Sequence, residues 1–156
     1  MDKQHLHQRV ISRLQDDLAG AERALRTAHE TATHEENVAE NKYDTLGLEA
    51  AYLALGQARR LEEIRAALAA WIALPVSAYD DAQGVRLGTL VELQNQQGGR
   101  QRLLLGPDGA GLKLPDAAGE IILITPRSPL GQRLLGLGEG DGFTLGAVHW
   151  ELLSAH

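Results

Sequence analysis

The absence of proline from the first 74 residues, together with a regular apolar repeat, most constrains how this chain folds. The repeat advances in alternating steps of three and four residues, the spacing of a coiled-coil seam rather than of a broad globular face. In the first half of the segment it runs through Ile11, Leu14, Leu18, Ala21, Leu25, Ala28 and Ala32. It returns at Leu61, Ile64, Leu68 and Trp71. The pattern therefore predicts two helices of about 30 residues each, paired as an antiparallel coiled-coil hairpin over residues 1–73.

The bend between the two predicted helices is crowded with carboxylates. Residues 33–45 read THEENVAENKYDT and hold one lysine, Lys42, against Glu35, Glu36, Glu40 and Asp44. Polar residues suit any exposed turn, so solvation alone is one interpretation of this tip at about 34–45. The other interpretation is a working end that holds a divalent cation or reaches into a partner.

The first part of the second helix departs from the repeat. Leu48, Tyr52 and Leu55 lie off the phase that Leu61 and Ile64 define, so they do not face the predicted seam. Apolar side chains in that position need another neighbour. They motivate an alternative function, that of a structural adaptor whose hairpin pairs with another coiled coil.

The composition changes at Pro75, because all five prolines and most of the glycines lie from there onward. Ser128 and Pro129 suit the N-cap and first position of a short helix ending near Leu135. Short β-rich runs separated by turn residues predict strands at 85–93, 100–106 and 120–125, and two more within 143–153. The expected fold class is α+β: the hairpin, then a small β domain at 76–156 with one short helix.

Charge and composition exclude several functional classes. A net charge of −6 argues against binding nucleic acid by bulk phosphate neutralisation. The chain has no cysteine, no apolar leader and no apolar run of membrane-spanning length, so we expect a cytoplasmic protein that does not enter a membrane. No catalytic triad, P-loop or zinc-hydrolase spacing is present, so we expect no independent active site.

The segment ITPRSPLGQRLLGLGEGDGF, at 124–143, resembles the C-terminal signature of the Gre-factor family, the bacterial transcript-cleavage and elongation factors. A long N-terminal hairpin with an acidic bend is the architecture of the same family. The resemblance implies an FKBP-like domain at 76–156 that docks on RNA polymerase beside its secondary channel. The docking residues it implies are Arg127, Ser128, Pro129, Leu130, Gly131, Arg133 and Leu134.

The same resemblance implies that the coiled coil enters the channel and brings the tip acids near the catalytic Mg²⁺ of the polymerase. It makes Glu36, Glu40 and Asp44 the ligands of a metal shared with the polymerase, with Glu35 beside them. It further implies that the factor holds no tightly bound cofactor of its own, and that any contact with nascent RNA or DNA is indirect.

The tip departs from the family pattern, which reads Asp-x-x-Glu-Asn. Aligning Glu36 and Asn37 with its last two positions places Thr33 where the aspartate belongs. Aligning Glu40 and Asn41 places Asn37 there instead. Neither register supplies the acidic pair, so stimulation of transcript cleavage and binding that blocks catalysis both remain open.

Overall fold

The computed structural model describes the backbone of residues 2–38 and 45–156, and the side chains of residues 2–34 and 47–156. Helix α1 runs Lys3–Val38 and helix α2 runs Thr45–Ala73. The Asp2 carboxylate accepts the backbone N–H of His5 at 3.0 Å and so caps the start of α1. The two predicted long helices are confirmed. Within the described residues, neither they nor any other helix is long and apolar enough to cross a membrane.

Contacts between residues divide the chain into two compact units. One unit is Ser12–Leu68, the greater part of the hairpin. The other joins the described residues up to Ile11 with Ala69–His156, so both outer helix ends belong with the sheet. The predicted boundary near residue 75 separates two continuous segments of the chain. The division by contacts instead groups the first residues of α1 with the C-terminal sheet.

The hairpin unit buries the predicted seam. Ala21 of α1 packs in one cluster with Leu61 and Ile64 of α2, and Leu18 and Leu25 border it. Small residues dominate the seam toward the bend, where Ala28, Ala32, Ala50 and Ala54 are all buried. The phase read from the heptad repeat is confirmed through the middle of both helices. Toward their outer ends Val10 and Ala67 are buried, whereas the predicted Ile11 and Leu68 are only partly buried.

The second unit is built on one six-stranded sheet with the strand order β3-β4-β2-β1-β6-β5. All neighbouring pairs are antiparallel except β2 with β4, which are parallel. A short helix, α3, spans Pro129–Leu134 between β4 and β5. The strands are β1 Leu90–Asn95, β2 Arg100–Leu105, β3 Lys113–Asp116, β4 Gly119–Ile124, β5 Gly142–Leu145 and β6 Val148–Ala155. The predicted α+β fold, a hairpin followed by a small sheet domain with one short helix, is confirmed.

One strand prediction needs correction, and one strand was missed. The first strand begins at Leu90 and not at 85, because the backbone of Val85 exchanges hydrogen bonds with Gly136 and Leu137 instead of with a strand. Strand β3 has no counterpart among the predicted strands, and it contains Pro115. An edge strand tolerates proline because one side of its backbone has no ladder to complete, and β3 lies at the edge of the sheet.

The start of α1 is tied to the sheet by side-chain contacts that the sequence did not predict. The Lys3 ammonium donates to the carbonyl oxygens of Gly88 and of His156, the latter at 2.7 Å. Burial, and secondarily the nearby Arg86 guanidinium, lowers the pKa of Lys3 to about 8. Arg9 donates to the carbonyl of Pro115 in β3. These contacts hold the first turns of α1 within the sheet unit.

Candidate functional site

The acidic tip is only partly within the described residues. Glu35 and Glu36 belong to the last turn of α1, which ends at Val38, whereas Glu40 and Asp44 lie outside the described residues. The proposed metal set of Glu36, Glu40 and Asp44 therefore stays a prediction. Elsewhere, the described part of the chain contains no group of three or more His, Asp or Glu side chains arranged to hold a metal.

Glu35 and Glu36 lie at the C-terminal end of α1, a position that glutamate does not normally favour. The C-terminal end of a helix carries a partial negative charge, so carboxylates are disfavoured there by about 0.3–1 kcal/mol each. No basic residue lies in the last turn of α1 to offset them. Helix propensity alone therefore does not explain two glutamates in sequence at this end of α1.

The signature segment at 124–143 forms a capped helix start packed on the sheet. Ser128 has extended backbone angles, φ −83° and ψ 152°, and its hydroxyl oxygen accepts the N–H of Gly131 at 3.1 Å. The same hydroxyl donates to the carbonyl of Thr125 at 2.9 Å. Pro129 occupies the first turn, where its missing N–H costs nothing. The predicted helix start is confirmed.

Gly131 is required by a close approach rather than by flexibility. A β-carbon at this position would overlap the carbonyl oxygen of Thr125 and would also approach the Ser128 hydroxyl. Only glycine lets the first turn of α3 come this near to the end of β4. The spacing of serine, proline and glycine is thus accounted for by local packing.

The predicted docking residues divide between surface and core. Leu134 is fully buried and Gly131 is buried as well, so both belong to the packing of this segment, and their contact with a partner stays a prediction. Leu130 is half-buried against the sheet core. Leu135, 44% exposed, is the apolar side chain at the end of α3 that faces solvent.

Two exposed arginines of the signature segment have partners within the chain. Arg127 donates to the Asp108 carboxylate at 3.1 Å, and its side chain remains 72% exposed. The Arg133 guanidinium lies 5.8 Å from the centre of the Phe143 ring. Cation–π and surface ion-pair contacts of this kind are weak, so they orient the arginines without preventing contact with an acidic partner.

The α2 outer face is a second candidate surface, which we define as Leu48, Tyr52, Leu55 and Gly56. Its three large side chains are 56%, 66% and 51% exposed. They point away from the seam, where Ala50 and Ala54 are buried, as their off-phase positions predicted. Leu53, beside this face, is exposed as well.

Replacing Ser128 by alanine is expected to lower the free energy of unfolding by about 1 kcal/mol, because the N-cap acceptor and the bond to Thr125 are both lost. Urea unfolding followed by far-UV circular dichroism measures the change. Ser128→Thr keeps both hydrogen bonds and should retain most of the stability. Equal losses in the two variants would contradict the capping role.

Comparisons with known proteins give fold neighbours of low similarity. No family model matches the chain, and no curated protein matches it significantly. Among solved structures it is similar to "the transcription factor Gfh1", with 20% identity, a TM-score of 0.40, and coverage of 94% of this chain and 92% of that one. It is also similar to GreA factor homolog 1 of Thermus thermophilus, with 21% identity, a TM-score of 0.36 and 94% of both chains covered. For Gfh1 of Thermus aquaticus the identity is 21%, the TM-score 0.38, and the coverage 93% of this chain and 92% of that one. Identities and scores this low carry no argument about activity.

Proposed function

We propose that this protein is a Gre-like accessory factor of bacterial RNA polymerase that acts at the secondary channel and modulates transcription through its acidic hairpin tip. The observation that carries the proposal is the placement of Glu35 and Glu36 in the last turn of a 36-residue helix. From there the chain continues through Glu40 and Asp44 before α2 begins. A long hairpin that concentrates negative charge at its bend suits a factor that presents carboxylates to a partner.

The chemistry of the tip suits Mg²⁺ shared with the polymerase. Carboxylate oxygens are the ligands that Mg²⁺ prefers, and one or two beyond those of a partner are enough to recruit it. A bound Mg²⁺ activates water and stabilises charge at a phosphoryl centre. The part assigned to this chain is to present Glu36, Glu40 and Asp44, with Glu35 adding to the local field. Because the polymerase performs the reaction, the factor is not itself an enzyme and has no tightly bound cofactor.

Docking on the polymerase is assigned to the exposed part of the signature segment. Arg127 and Arg133 present positive charge, and Leu130 and Leu135 expose apolar surface between and beyond them. Ser128, Pro129 and Gly131 shape the helix start that carries these side chains. An acidic partner surface with an apolar centre fits this arrangement. Contact with nascent RNA or DNA is indirect, through the polymerase, and the factor acts in the cytoplasm.

A reconstituted backtracked elongation complex tests the proposal. The triple variant Glu36→Ala, Glu40→Ala, Asp44→Ala is expected to lose the factor's effect on RNA shortening, pausing or initiation by at least about tenfold, the scale seen when metal-site partners are removed. Binding to core polymerase, measured by gel filtration, should persist. The direction of the wild-type effect separates stimulation of cleavage from inhibition.

A matched control removes the same charge away from the bend. Glu30, Glu62 and Glu63 are exposed on the hairpin helices, and their replacement by alanine should leave the effect on polymerase unchanged. The proposal fails if the wild-type protein neither binds polymerase nor alters any of these steps. It also fails if the tip variant and the control behave alike.

A coiled-coil adaptor without polymerase-directed activity is the second candidate, and the exposed α2 outer face favours it. An adaptor would bind its partner through this face and would be indifferent to the tip acids. Polymerase binding separates the two candidates directly.

A further inference from the structure

We propose that the α2 outer face pairs with the same face of a second copy, as an antiparallel two-helix contact that makes this protein a reversible homodimer. This inference does not depend on the proposed function, because it concerns side chains of the hairpin unit that serve neither the tip nor the sheet.

The three large side chains of this face form one stripe. Leu48, Tyr52 and Leu55 are spaced by four and three residues, which places them along one side of α2. Each is more than half exposed, and the seam with α1 lies on the opposite side of the helix. Single exposed apolar residues are ordinary, whereas a continuous stripe marks a contact surface.

Gly56 supplies a second, independent observation. Glycine weakens a helix interior relative to alanine, so its presence in α2 needs a reason. The chain's own packing offers none, since a β-carbon built there would meet nothing within 4 Å. An uncovered stretch of helix backbone beside Tyr52 permits a ring from another helix to approach closely.

Charge complementarity identifies the occupant. Glu49 and Arg59 lie at opposite ends of the face, ten residues and about 15 Å apart along the helix. Both are exposed, and neither has an ion-pair partner within the described part of the chain. When two copies of α2 run antiparallel about a two-fold axis, Glu49 of each copy meets Arg59 of the other. The same alignment sets Tyr52 of each copy over Gly56 of the other, so the face is complementary to itself, as an isologous interface requires.

The size of the face sets the strength of the contact. A few side chains bury a few hundred Å² per copy at most, well below the roughly 800 Å² per partner of a standard stable interface. The dimer is therefore expected to form and dissociate reversibly with concentration.

Sedimentation of the full chain over a wide concentration range tests the proposal. Wild type should show concentration-dependent dimerisation, and Tyr52→Ala should weaken it by at least about tenfold, since aromatic side chains at the centre of an interface dominate binding. Glu49→Arg and Arg59→Glu should each weaken it about three- to tenfold by placing like charges opposite one another. The double variant Glu49→Arg, Arg59→Glu should regain the wild-type association.

Mixing the two single charge variants is the most specific test of the Glu49–Arg59 pairing. One copy then presents arginine at both ends and the other glutamate at both ends, so a mixed dimer should form where each variant alone dimerises poorly. An effect of overall charge alone would have the opposite sign for Glu49→Arg. This change moves the net charge from −6 to −4, which reduces the repulsion between copies and would strengthen their association instead of weakening it. Glu30→Arg and Arg26→Glu, exposed on α1, are charge-matched controls and should behave as wild type.

Circular dichroism of each variant confirms that the helices are retained. A wild-type protein that remains monomeric throughout the range overturns the proposal. It is also overturned if Tyr52→Ala dimerises as wild type does, or if the mixed charge variants fail to associate.

Discussion

Replacing Trp71 by alanine is expected to lower the free energy of unfolding by about 3–5 kcal/mol, the cost typical of deleting a buried aromatic ring. Trp71 is 1% exposed and belongs to the sheet unit at the end of α2. Its indole N–H donates to the carbonyl of Asp108 at 2.9 Å, and its ring leaves room only for glycine at 106. Alanine would leave a cavity and an Asp108 carbonyl without this donor.

Urea unfolding followed by far-UV circular dichroism measures this change. Trp71→Phe separates the two contributions, because it keeps most of the ring volume and loses the hydrogen bond, at a cost of about 1 kcal/mol for the latter. Ile72→Ala changes the next residue, which is 60% exposed, and should shift stability by no more than about 0.5 kcal/mol. Equal stabilities for Trp71→Ala and Ile72→Ala would contradict this role for Trp71.

Gly131→Ala is expected to cost about 1–3 kcal/mol or more, because a β-carbon overlaps the Thr125 carbonyl and the surrounding backbone must move. The same movement weakens the cap, since the Gly131 N–H is the donor to the Ser128 hydroxyl. A substitution that normally favours helices would therefore destabilise this one. The urea midpoint of the full chain measures the effect.

The control for Gly131→Ala is another helical glycine with room for a side chain. At Gly20 in α1 the nearest atom to an added β-carbon is the end of the flexible Arg23 side chain, at 3.7 Å. Gly20→Ala should therefore stabilise the protein by up to about 1 kcal/mol. If both changes moved stability in the same direction, the close approach of α3 to Thr125 would not be what requires glycine.

Local signals in the sequence predicted the helices and the capped start of α3 because each depends on residues a few positions apart. Ser128, Pro129 and Gly131 lie within one turn, and their roles follow from backbone donors and sterics in that turn. The start of β1 was misplaced because Val85 takes its hydrogen-bond partners from Gly136 and Leu137, some fifty positions away. The pattern of apolar and polar residues in 85–93 does not show that Val85 bonds to these distant residues.

The sequence predicted which residues belong to the candidate surfaces, but not which of them are buried. The exposure of Leu48, Tyr52 and Leu55 followed from their phase relative to the seam, since a helix turns each position by a known angle. The burial of Leu134 could not be separated from the exposure of Leu135 by residue type, because both are leucines. Only the orientation of α3 on the sheet distinguishes them.

The sequence by itself determined which side of each long helix is buried, because a heptad repeat specifies a seam through neighbouring turns alone. Only the tertiary structure decided that Lys3 reaches the carbonyls of Gly88 and His156, and that Trp71 donates to Asp108. These contacts join residues 37 to 153 positions apart. Their formation depends on the path of the whole chain, since any exposed backbone carbonyl offers the same acceptor to a lysine or an indole.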